Sequence, residues 1–185
     1  MNLKGKVAVV TGGATGIGRA IALKLADRGA AIMIADINDE AASVTAAEVE
    51  EISGQSAAFL TDVTDVEACE ALATATAVTF GPADILVNNA GFCRDKMIFN
   101  MSEDEFDSVI RVHLKGHFCS MRFASEYWRT KGKETGAPLY ARIINPSSGA
   151  GLQGSVGQAA YATAKGGIAS LTLVQAAELG RYGIT

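Results

Sequence analysis

The chain has 185 residues, of which 49 % are hydrophobic and 19 % charged, and it carries a formal net charge of −4. That length supports a single domain with a real core, and the mix is that of a globular protein leaning apolar. Lysines and arginines are scattered singly, so no basic stripe points to a nucleic-acid partner, and no apolar run reaches the roughly 18 residues of a membrane span.

VAVVT (7–11) reads as a buried strand, followed by a Gly turn and a helix through Ile21, Leu25 and Arg28. AAIMIAD (30–36) is a second strand, 39–52 a helix, AAFLT (57–61) a third strand and 65–80 a third helix. ADILVN (83–88) and ARIIN (141–145) read as strands four and five, with one long helical region over 103–131 between them. KGKETGAPLY (131–140) reads as a polar loop and 158–181 as a last helix. Strands that are apolar throughout and alternate with helices predict a parallel sheet covered on both faces. That is the doubly wound α/β architecture with right-handed crossovers. Cys69, Cys93 and Cys119 form no CxxC or disulfide pattern, so we read them as small buried apolar side chains in a reducing compartment. MNLKGKVAVVTGG lacks the h-region and cleavage site of a signal peptide, and the expectation is a cytoplasmic protein.

TGGATGIG (11–18) lies between the first strand and the first helix, with Gly12, Gly16 and Gly18 spaced more loosely than GxGxxG. Glycines let the backbone turn tightly and approach a pyrophosphate, and a helix N-terminus offers free N–H groups; a plain turn would use the same residues. Asp36 ends strand two, 18 residues past Gly18. A carboxylate there can accept from an adenosine ribose and repel a 2′-phosphate, which favours NAD over NADP. It could instead cap the next helix, a role also open to Asp39. Asp62-Val63 follows strand three, where an adenine edge would lie. NNAG (88–91) ends strand four on the ligand-binding edge, although its asparagines could simply tie strands together.

YATAK puts Tyr161 and Lys165 one turn apart on one helix face. A phenol ordinarily titrates near 10, and a nearby ammonium favours the phenolate; a fall of about two units requires roughly 2.7 kcal/mol. Tyr161 would then serve as a general acid or base. Ser148 lies 13 residues upstream, just past strand five, able to hydrogen-bond a carbonyl oxygen. A surface Tyr–Lys pair is the ordinary explanation of YxxxK alone; the combination is far more specific. HLKGH (113–117) holds the two histidines of the chain at helical i, i+4 spacing, which raises a metal site. Leu114 stands where a zinc-protease helix needs Glu, and no third ligand is evident, so we expect no metal.

TGGATGIG, Asp36, NNAG, Ser148, Tyr161 and Lys165 occur in the order and spacing of the short-chain dehydrogenases/reductases, and the resemblance covers essentially all of the chain. It implies a Rossmann fold, bound NAD, and hydride transfer between nicotinamide and a carbon bearing a hydroxyl or ketone. By that resemblance Tyr161 handles the substrate proton, Ser148 orients the oxygen, and Lys165 binds ribose and favours the phenolate. The implied cofactor-binding set is Gly12, Thr15, Gly16, Ile17, Gly18, Asp36, Ile37, Asp62, Val63, Asn89, Ala90, Gly91, Tyr161 and Lys165, with Asn88 near the nicotinamide ribose. FCRDKMIFNMSEDEFDSVIRVHLKGHF and SSGAGLQGSVGQAAYATAKGGI resemble the (3R)-hydroxyacyl-CoA dehydrogenase part of multifunctional enzyme type 2 (17β-hydroxysteroid dehydrogenase type 4-like) and related actinobacterial dehydrogenases of steroid or fatty-acid breakdown. A 3-hydroxyacyl-CoA is therefore the first substrate expectation. A 3-oxoacyl-carrier-protein reductase or a hydroxysteroid dehydrogenase is the alternative, and a non-catalytic nucleotide-binding module is the alternative of another class.

His113 occupies a helix position where most family members carry asparagine holding a relay water close to the lysine, so it joins Ser148, Tyr161 and Lys165 as a candidate catalytic residue. A buried structural histidine is the other reading, and His117 is expected to pack or to face a partner subunit. The resemblance also implies a homodimer or homotetramer through the helices at 103–131 and 158–181. RYGIT stops as a sixth strand would start, so 1–185 reads as one NAD(P)-binding domain shortened at its C-terminus. Family members add strands and a substrate-covering loop beyond that point, and strand five is expected to have an uncovered outer edge.

Overall fold

The computed structural model describes residues 2–185. Five parallel strands, β1 (Val7–Thr11), β2 (Ala31–Asp36), β3 (Ser56–Leu60), β4 (Ile85–Asn88) and β5 (Arg142–Ile144), form one sheet in the order β3-β2-β1-β4-β5. The order reverses between β1 and β4, which opens a crevice at their carboxyl ends. Helices cover both faces: α1 (Gly16–Ala26), α2 (Asp39–Ser53), α3 (Val66–Phe80), α4 (Glu103–Ile110), α5 (Gly116–Thr135), α6 (Gly149–Gln153) and α7 (Ala159–Leu179). This is the doubly wound α/β fold expected.

Alternation within each buried strand feeds two cores. Ala8, Val10, Ile32, Ile34, Ile85 and Val87 join Ala22, Ala26, Ala42 and Val49 of α1 and α2 on one face. Val9, Met33, Ala35 and Leu86 point the other way, to Leu72 of α3, Met121 and Trp128 of α5 and Leu179 of α7. Among the described residues no helix is long and apolar enough to cross a membrane.

Four expectations change. The helical region over 103–131 is two helices joined by a π turn, Arg111–Lys115. The loop expected from 131 begins later, because α5 continues to Thr135 and stops at Gly136, whose φ of +63° is the left-handed C-terminal signal. The α2 cap is Asn38, which accepts from the Ala41 N–H; neither Asp36 nor Asp39 does so. The outer edge of β5 is partly covered: Thr185 donates to the Ala141 carbonyl and accepts from the Ile143 N–H, and Ile184 is buried.

Asn88 is also reassigned. It is buried, donates to Asn145 Oδ1 at 2.9 Å and accepts from Ser120 Oγ at 2.6 Å. Asn145 in turn donates to Thr172 of α7. The residue therefore ties β4 to β5, α5 and α7, and its side chain is not turned toward a cofactor. Removing one member of a buried polar chain strands its partners. We expect Asn88→Ala to cost about 2 kcal/mol in urea unfolding; a change within the scatter of surface substitutions, about 0.5 kcal/mol, would contradict the bracing role.

Candidate active site

The glycine loop leaves β1 at Thr11 and enters α1 at Gly16. Gly12 has φ +61°, and a Cβ there would lie 2.7 Å from Ala90 Cα, so only glycine lets the loop touch the segment after β4. Asn89 fixes that contact. Its Nδ2 donates to the Thr11 and Gly12 carbonyls at 3.2 and 3.0 Å, while its N–H and that of Ala90 donate to Thr11 Oγ1. Thr15, Gly16 and Ile17 are exposed, and Thr15 makes no side-chain cap, so the first-turn N–H groups of α1 stay available to an anion.

Asp36 stands at the end of β2 beside this loop. One carboxylate oxygen accepts from the Ala14 N–H at 3.1 Å and the other from the Asn38 N–H at 3.0 Å. Ile37 is exposed next to it. Asp62 is exposed and accepts from the Thr64 N–H, and the Val63 side chain is buried near Gly116. These residues fit a dinucleotide: a backbone cradle closed by glycine, a helix N-terminus and a fixed carboxylate line one sheet edge.

Ser148 caps the short helix α6, its Oγ accepting from the Ala150 N–H. Gly151 lets α6 lie against α7, since a Cβ there would meet Gly166 N and Lys165 C at 2.6 Å. Lys165 is buried and donates to the Pro146 carbonyl at 2.6 Å; Ser147 Oγ donates to the Lys165 carbonyl at 3.0 Å. The ammonium lies 5.7 Å from the centre of the half-buried Tyr161 ring. Burial holds the Lys165 ammonium below the ordinary lysine range. Lys165 is thus seated on the loop that follows β5 and leads to Ser148, with Tyr161 beside its ammonium.

His113 is buried within the π turn, a helix irregularity common at functional sites. Its ring reaches the Phe92 backbone through Nε2, 2.7 Å from the carbonyl and 3.1 Å from the N–H. It meets Tyr161 edge-on at 5.3 Å. His117 is buried and so faces no partner subunit. Among the described residues, His113 Nδ1 and His117 Nε2 are buried without hydrogen-bond partners. The two imidazoles do not converge on a metal, and no cluster of three metal-ligating side chains occurs among the described residues. Cys69 and Cys119 are buried as expected; Cys93 is exposed. An apolar cavity of about 460 Å³ between α3 and α5, walled by Leu72, Ala77, Phe123 and Trp128, contains none of these site residues.

Sequence reading missed Thr11, Ala14, Pro146 and Gly151. The first three act through a hydroxyl or backbone group whose partner is distant in the chain. Gly151 carried the one available signal, a glycine three residues past the candidate serine.

A model of short chain dehydrogenases matches residues 6–185. The chain belongs to the short chain dehydrogenase family. It is 48 % identical over 192 residues to the hydroxyacyl-CoA dehydrogenase ChsB1 of Mycobacterium tuberculosis, an alignment covering 99 % of this chain but only 59 % of that relative's length. A short chain dehydrogenase from Mycobacterium avium superposes with a TM-score of 0.95 at 49 % identity, covering 100 % of this chain and 66 % of the other. NAD⁺-bound xylitol dehydrogenase superposes with a TM-score of 0.92 at 34 % identity, covering 100 % and 68 %.

The histidines of this short chain dehydrogenase give its site a pH signature. Burial pushes His113 down and His117 down to about 3 from the ordinary 6.5. Each binds fewer protons folded than unfolded, so its contribution to stability is complete above about pH 6.5 and is lost as pH falls. The thermal midpoint should drop between about pH 7.5 and 5, and drop less in His117→Gln; parallel pH dependence in both proteins would contradict the assignment.

Proposed function

We propose that this short chain dehydrogenase uses NAD to oxidise the secondary alcohol of a 3-hydroxyacyl-CoA, acting through residues 1–185 as one nicotinamide-binding domain. The observation that supports the reading is the seating of Lys165 on the loop that leads to Ser148, with the Tyr161 ring centre 5.7 Å from its ammonium. Similarity to hydroxyacyl-CoA dehydrogenase ChsB1 supports the substrate class, and the NAD⁺-bound structural relative supports the cofactor.

Gly12, Thr15, Gly16, Ile17 and Gly18 would hold the pyrophosphate with backbone N–H groups, and Asp36 would accept from ribose hydroxyls while repelling a 2′-phosphate. Ile37, the Asp62-Val63 backbone, and Ala90 with Gly91 would line the adenine and nicotinamide ends, and Asn89 keeps the cradle closed. When bound, the nicotinamide supplies the hydride-accepting carbon. Ser148 Oγ donates to the substrate oxygen and orients it. Tyr161 takes the hydroxyl proton as the carbonyl forms, and the Lys165 ammonium offsets the negative charge on the phenol oxygen. Loop residues Met97, Ile98 and Phe99 expose apolar surface, and the neighbouring backbone is tied to the segment after α6 by the Lys96 N–H and Gly157 carbonyl; Val156 of that segment and Leu152 of α6 are also exposed. Such a rim suits an acyl chain or steroid side chain.

Phe118 of α5 and Leu173 and Val174 of α7 are exposed, which supports a homodimer or homotetramer through these helices. Free cysteines suit a reducing compartment such as the cytoplasm.

A panel of 3-hydroxyacyl-CoA thioesters of varied chain length tests the reading with the full-length protein and NAD. NADH formation at 340 nm is expected, falling about 10²–10⁴-fold in Tyr161→Phe. NAD binding with no turnover of any thioester or secondary alcohol would leave a nucleotide-binding module instead. Asp36→Ala should erode the ratio of kcat/KM with NAD to that with NADP by about tenfold, the worth of one charge-assisted contact; an unchanged ratio would defeat the assignment of Asp36.

A further inference from the structure

His113 stands between two parts of the site. On one side its ring lies over Gly91: a Cβ at that glycine would come within 2.1 Å of His113 Cε1, 2.7 Å of Nδ1 and 2.8 Å of Nε2. On the other side the ring meets Tyr161 edge-on, centroids 5.3 Å apart at 83°. Nε2 is anchored on the Phe92 backbone, directly after Gly91. The π turn that carries the residue packs on α7 as well, for a Cβ at Gly167 would lie 3.1 Å from the Leu114 side chain.

We propose that His113 is a positioning residue, a wedge that sets the distance between the Asn89–Gly91 end of the cofactor cradle and the Tyr161 ring. The assignment rests on Tyr161 being the proton-exchanging group.

Nε2 can donate to the Phe92 carbonyl or accept from the Phe92 N–H, and these roles exclude one another in a single tautomer. At 2.7 Å the carbonyl is the closer partner, which favours the Nε2–H tautomer, and Nδ1 has no hydrogen-bond partner among the described residues. The geometry supplies a backbone anchor and ring contacts on both sides. Asparagine at this position could occupy the space beside Gly91 only in part and would lose the edge contact with Tyr161.

The glycine makes the inference testable, because the clash of a methyl at position 91 is with the imidazole. Four tyrosines allow their ring signals to be resolved after labelling with 3-fluorotyrosine, with Tyr161 assigned through Tyr161→Phe. We expect Gly91→Ala to displace the Tyr161 resonance and to reduce kcat for 3-hydroxybutyryl-CoA oxidation about tenfold. In Gly91→Ala/His113→Asn the resonance should return toward that of His113→Asn alone, and kcat should exceed that of Gly91→Ala. A Tyr161 resonance unmoved by Gly91→Ala, or kcat losses that simply multiply in the double variant, would overturn the wedge. If the parent protein oxidises no thioester, the proposed activity fails while the resonance still decides the role of His113. Unfolding midpoints measured alongside identify any variant that fails to fold; the single variant His113→Phe, which keeps ring volume without the anchor, should then retain the Tyr161 position better than His113→Asn. The reverse order would also overturn it.

Discussion

The Asn89 side chain holds the glycine loop against the end of β4, and the whole site depends on that clamp. Strand order reverses between β1 and β4, which pair as far as Thr11 and Asn88, so the segments that follow them part and leave a crevice beyond the last ladder pair. One amide, donating to the Thr11 and Gly12 carbonyls, bridges it. Thr11 Oγ1 completes the tie by accepting two backbone N–H groups. The loop thereby keeps its carbonyls occupied toward β4, while the N–H groups at the start of α1 remain directed to the crevice.

Behind that surface the fold uses a second polar chain for a different purpose. Asn88, Ser120, Asn145 and Thr172 link the sheet to the helices on one face. Neighbouring asparagines therefore divide the work by strand alternation, Asn88 pointing into the core and Asn89 to the crevice. Lys165 is held by the Pro146 carbonyl at the same level, and His113 and Tyr161 complete the wall.

How much of this was legible in the sequence follows from what each feature requires. Strands buried on both faces announce themselves as apolar runs, and VAVVT matches β1 at both ends. The carboxyl-edge motifs fell where the alternating pattern put them. The π turn at Arg111–Lys115 left no trace, because one extra residue in a turn does not disturb an apolar periodicity read over a long helix. Helix α6 was hidden by Gly149 and Gly151, poor helix formers, of which Gly151 is needed for its approach to α7. Asp36, Asn38 and Asp39 can each cap a helix, and only the folded geometry separates the cap, Asn38, from the carboxylate of Asp36 that accepts from the glycine loop. Asn88 was misread for the same reason: adjacent identical side chains have opposite fates, and strand phase at the last residue decides them.

The central claim is that Tyr161 and the glycine cradle bring one secondary alcohol carbon against a nicotinamide. Transfer of label measures this most directly. The full-length protein would be given NAD and 3-hydroxybutyryl-CoA carrying deuterium at C3, and the reduced cofactor analysed by NMR. The account predicts deuterium at nicotinamide C4 on a single face, with the label lost from the thioester. NADH without deuterium, label on both faces, or no reduction of NAD would contradict it.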